Sequence, residues 1–200
     1  MKLIPIFSFL IFAATLFAGN KNADKAIIDL LDKHAQFLSE EQCNEAGDEF
    51  SALSELYSDQ WLPNYYAAYY YIFAAEYGQS EAAKNETLNK AESILNKGLK
   101  LQPDNSELLS LKAYLQIKKK RAGNSNIKVS SIESLIKQAI NSEPKNPRAH
   151  LVSAVYKLYF VDTATGKENA NKALELFERK TESPNPSWGK NLAQSLSRKL

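Results

Sequence analysis

The stretch LKLQPDNSELLSLKAYLQ, Leu99 to Gln116, reads as one helix ending, a sharp stop, and a second helix beginning. Proline lacks an amide N–H, so it ends a helix yet fits the first turn of the next one. The same stop recurs along the chain. Pro63 in WLPNYYAAY, Pro103 in LQPDNSELL, Pro144 in SEPKNPRAH and Pro184 in SPNPSWGK follow one another at a near-constant interval. Asparagine follows each proline directly or one residue later, and its side-chain oxygen suits it to accept a free N–H of a first helical turn. Asn146-Pro147 and Asn185-Pro186 also place proline where a first helical residue belongs.

Between these marks, Ser39/Gln42, Ser130/Glu133 and Thr165/Glu168 have the spacing of a capping box, in which Ser or Thr and a Glu or Gln three residues later satisfy first-turn N–H groups reciprocally. Apolar residues step by three and four, as in Ala91, Ile94, Leu95, Leu99 and in Ile132, Leu135, Ile136, Ala139, Ile140. The pattern predicts an all-α chain of about nine helices, near 24–37, 40–58, 64–77, 81–100, 105–120, 131–141, 147–160, 167–181 and 186–198. A helical pair recurring every ~40 residues cannot bury its own apolar face, so each pair must stack on the next and form a solenoid.

The segments GLKLQPDN, AINSEPKN and ERKTESPN resemble, with falling fidelity, the end of the repeat unit of the tetratricopeptide repeat (TPR) family. WLPNYYAAYYYIF and NKALELFERKTESPNPSWGKNLA are similar to segments of small exported bacterial repeat proteins. The resemblance implies a right-handed helical-hairpin solenoid whose first helices line a groove. It also implies a small residue near the middle of first helices, here Ala113 and Ala154, and one early in a second helix, here Ala91. The repeat is about six residues longer than the family's, with the excess in polar loops such as RAGNSNIK and VDTATGK, where insertions are tolerated.

The 200 residues suffice for one domain, and 44% hydrophobic content with a net charge of +2 places the chain among ordinary globular proteins. Lys2, an apolar run from Leu3 to Phe17 broken only by Ser8 and Thr15, and then Ala18 are the parts of a secretory signal peptide. The expectation is a leader over 1–18, cleaved after Ala18, and a domain over 19–200 that is exported to the periplasm or secreted, with no membrane span after cleavage. The single cysteine, Cys43, cannot form an internal disulfide.

No catalytic constellation is legible. His34 falls on an apolar stripe with Ile27, Leu31 and Leu38, His150 sits in a first helix where the repeat places a large core aromatic, and TGKEN lacks the upstream glycine and following Ser or Thr of a phosphate loop. Lys118, Lys119, Lys120 and Arg121 complement a helix C-terminus, and nothing points to nucleic acid. The sequence therefore predicts no enzyme, cofactor or metal.

The aromatic density from Tyr57 to Tyr77 stands out. Tyr65, Tyr69 and Phe73 form one helical stripe, Tyr66, Tyr70 and Tyr77 its neighbour, and Tyr71 a further ring. Tyr66, Tyr70, Tyr71 and Tyr77 are candidates for a partner or ligand surface, because tyrosine suits a wall with one dry and one wet end. The same density also reads as the centre of the core. Two functions fit: a non-enzymatic scaffold that holds a segment of an unidentified protein or peptide in a first-helix groove, or a module that binds a glycan or other small molecule at the tyrosines. Trp188, Leu192 and Leu196 predict a C-terminal capping helix, with Trp188 packed on Leu174 and Phe177.

Overall fold

The computed structural model describes residues 21–36, 39–124, 126–178 and 182–199, so the leader expected over 1–18 lies outside the described residues. Among these residues the chain forms nine helices and no strand. They are α1 (21–33), α2 (Glu40–Leu56), α3 (Trp61–Tyr77), α4 (Glu81–Leu101), α5 (Ser106–Arg121), α6 (Val129–Ser142), α7 (Pro147–Phe160), α8 (Thr163–Phe177) and α9 (Lys190–Lys199).

The asparagine caps form at two of the expected places. Asn105 accepts from the N–H groups of Glu107 and Leu108, and Asn146 from those of Arg148 and Ala149, with Pro147 opening α7. Ser39 caps α2 through the Gln42 N–H, and Ser80 caps α4 through that of Ala83. Other starts differ from the sequence reading. Helix α3 begins at Trp61, ahead of Pro63, so Asn64 lies inside it and its side-chain amide donates to the Gln60 carbonyl at 3.1 Å. Helix α6 begins after Lys128, which makes no side-chain cap, and α8 begins after Asp162, whose carboxylate caps the Thr165 N–H. Neither Ser130 nor Thr165 is therefore a cap. Asn185-Pro186 starts no helix, and α9 opens four residues later than expected.

Helix α3 packs between α2 and α4, α7 packs on α8, and α5 packs on α6. The first helices α3, α5 and α7 also touch one another in sequence, so they form one continuous face. Ala91, Ala113 and Ala154 are fully buried. Close approach is directly visible at Gly166 of α8, where an added Cβ would lie 3.4 Å from the Ala154 carbonyl oxygen.

Polar pairs stitch the repeats from inside. Arg148 of α7 grips Glu107 of α5 through Nε and Nη2, each at 2.6 Å, and Glu92 of α4 accepts from Lys112 at 2.8 Å and Lys119 at 2.5 Å of α5. Asn146 donates to the Ser106 hydroxyl, which donates to the Ala139 carbonyl. Lys119, read from sequence as helix-end solvation, is thus a buried tie, while Lys118 pairs with Glu76 at 2.6 Å.

Candidate functional site

The tyrosine helix supplies the site, and its rings divide by direction. Tyr66, Tyr70 and Tyr71 are only 5%, 3% and 2% exposed, so their rings form core and leave no open surface. The reason is on α2, where Cys43, Ala46 and Gly47 present a small-residue floor. A Cβ on Gly47 would stand 2.7 Å from the Tyr71 ring. Phe50 of α2 stacks on Tyr70 at 5.5 Å and 14°, and lies 5.2 Å from Tyr66. The hydroxyls reach outward from this packing: Tyr66 donates to the Pro184 carbonyl at 2.6 Å, Tyr70 to that of His34 at 3.4 Å, and Tyr71 to the Asp48 carboxylate. Tyr77, at 40% exposure, is the one candidate that faces solvent.

On the other side, Tyr69 and Phe73 of α3 and Tyr114 of α5 look onto the first-helix face. There they meet Trp188, which the sequence placed against Leu174 and Phe177. Its ring centroid is 5.7 Å from that of Tyr69 and 5.8 Å from that of Tyr114, and its indole N–H donates to the Tyr65 hydroxyl at 2.5 Å. The physical cause is local. Gly189 takes φ +106° against Leu151 and Phe177, a left-handed backbone through which no helix continues, so residues 182–189 stay outside any helix and lay the indole across α3 and α5.

The result is a cleft of about 530 Å³ walled by Tyr69, Phe73, Tyr114 and Trp188 and edged by Lys118, Lys190 and Glu76. A small apolar annex of about 80 Å³ continues from Tyr114 toward Val155, Leu158, Leu192 and Leu196. Arg121 lies over the Tyr159 ring at 3.9 Å, and both line the annex. Burial pushes the Tyr69 and Tyr114 phenols well up, and the Glu76 carboxylate raises Tyr114 further. Both are therefore neutral phenols at ordinary pH, fit for stacking and hydrogen bonding.

The other candidates fall elsewhere. His34 is buried with Nε2 2.9 Å from Glu49, whose carboxyl is held low by Lys33 and His34. His150 meets the Pro144 carbonyl at 2.9 Å. Cys43 is buried, its thiol pushed up to about 11 by burial. Among the described residues, no group of three or more His, Cys, Asp or Glu is placed to hold a metal, and no helix is long and apolar enough to cross a membrane.

Two solved structures share this architecture. The HusA haemophore from Porphyromonas gingivalis superposes with a TM-score of 0.72 at 21% identity, over 89% of this chain and 90% of that one. A thermophilic TPR protein from Thermus thermophilus does so with a TM-score of 0.59 at 16% identity, over 86% and 91%. The fold is a TPR-like solenoid. No family model and no curated protein matches the sequence.

Proposed function

We propose that the chain is an exported, non-enzymatic binding module whose cleft takes a flat, apolar, carboxylate-bearing small molecule of the porphyrin class. The observation that carries this reading is the cleft itself: four aromatic walls around a volume within the usual range of small-molecule sites, with cations at its edge. Planar π-systems gain from offset and edge contacts with such rings. Lys118 and Lys190, now paired with Glu76 and Glu178, would exchange those partners for ligand carboxylates. The likeness to a haemophore supports the same ligand class, and the expected leader over 1–18 supports export.

Haemin titration followed by its absorbance band is the test. Saturable one-to-one binding is expected, with Lys118→Glu weakening it about tenfold, the equivalent of ~1.4 kcal/mol. An unchanged spectrum at high protein concentration would overturn the reading. Export is tested separately, by the intact mass of the protein isolated from its own cells. The mass should correspond to a chain that begins after Ala18.

A second reading has its own observation. A wider recess of about 890 Å³ runs along Asp104 to Glu107, Ser142 to Lys145, Pro147, Arg148, Glu182, Asn185 and Pro186, and its mixed, polar lining suits a segment of a partner protein. Pull-down from the cell envelope, with and without haemin, distinguishes the two uses of the face.

A further inference from the structure

Residues 182–189 have a peculiar position. They cross the first-helix face outside any helix and separate two recesses, the wider one touching Glu182, Asn185 and Pro186 and the aromatic cleft touching Ser187, Trp188 and Gly189. The segment therefore has open space on both flanks. Pro184 and Pro186 carry no N–H, so backbone pairing to a neighbouring element is denied there. Side chains tie it to the solenoid: Tyr66 donates to the Pro184 carbonyl, and the Trp188 indole to Tyr65. Glu182, Ser183, Asn185 and Ser187 are exposed, and Pro186 is buried. At the far end Gly189, in a left-handed backbone conformation, joins the segment to α9.

We propose that this segment is a strap that opens and closes the aromatic cleft, with Trp188 as its latch. In the closed state the indole forms one wall of the cleft, so a flat ligand enters when the strap lifts toward the wider recess and is retained when Trp188 returns onto it. Tyr65, Tyr66, Tyr69 and Tyr114 belong to the rigid side of this closure because they sit on α3 and α5. The strap is the side that moves. This inference rests on the ligand reading given above for what passes through the cleft, but the opening itself belongs to the ligand-free protein.

The test uses Trp61→Phe protein, in which Trp188 is the remaining tryptophan and its emission reports the strap. In stopped-flow mixing with haemin, the observed rate should level off at high haemin, at the rate of opening. Tyr66→Phe, which keeps the ring and loses the hydrogen bond to Pro184, should raise that plateau about fivefold. A rate that stays linear in haemin and ignores Tyr66→Phe would overturn the strap. Hydrogen exchange keeps the two proposals apart if haemin does not bind. In ligand-free protein the amides of Ser187, Trp188 and Gly189 should exchange faster than those of α3 and α5, and faster again in Tyr66→Phe. Exchange as slow as in α5 would overturn the strap whatever the ligand.

Discussion

Helix α3 holds aromatics on two sides by different means. Toward α2, Tyr70 and Tyr71 press onto Phe50, Cys43, Ala46 and Gly47, residues of one continuous helix whose backbone cannot leave without unfolding. Toward α5, Tyr65 and Tyr69 meet Trp188, delivered by a non-helical segment with side-chain anchors. Similar rings thus make a permanent core on one side and a removable wall on the other. What differs is the backbone behind the partner, because cooperative helices open only with the whole domain while short irregular segments open locally.

The largest blow to this contrast should come from Phe50→Ala. Phe50 is fully buried, and its loss leaves a cavity between α2 and α3, so chemical denaturation should show about 3–5 kcal/mol of lost stability. Gly47→Leu attacks the same wall by overpacking against Tyr71 and should cost about 1–3 kcal/mol, again by denaturation. Ala113→Leu at the buried centre of α5 belongs to the same range.

Alkaline pH probes the α2 side through Tyr70, whose phenol is pushed up to about 12 by burial and by nearby Cys43. The fold favours the neutral form, so this contribution is whole below the unfolded value of about 10 and is lost as pH rises from there toward 12. Unfolding stability measured across that window should fall less steeply in Tyr70→Phe, by at most about 1 kcal/mol per pH unit. Trp188→Ala should have the smallest effect on global stability, about 1 kcal/mol, because the segment it anchors opens without the rest of the domain. A loss as large as that of Phe50→Ala would make the two sides equivalent.

The solenoid was legible because its punctuation is local. Evenly spaced prolines and the asparagine caps at Asn105 and Asn146 act within one turn of chain, and α2 through α7 lie within a few residues of their expected positions. The depth of the tyrosine core was not legible from α3 alone. It depends on Cys43, Ala46 and Gly47, whose i, i+3, i+4 spacing marks a narrow floor on α2 that only gains meaning beside a tyrosine helix. The buried ties follow the repeat register: Glu107, Arg148 and Trp188 each stand four residues after a repeat proline. The first two pair across the stack, while the third would have opened a helix had the left-handed Gly189 not kept its segment out of one. That departure creates the cleft, and periodicity predicts continuation rather than the place where a repeat stops.

Whether the first-helix face binds its ligand in the cleft under Trp188 is decided by mapping amide chemical shifts on titration with a diamagnetic, metal-free porphyrin. Shifts should concentrate at Tyr69, Phe73, Tyr114, Lys118 and Trp188 to Leu192, the residues that surround the cleft. Shifts confined instead to Asp104, Lys145 and their neighbours in the wider recess, with Trp188 unmoved, would contradict binding in the cleft.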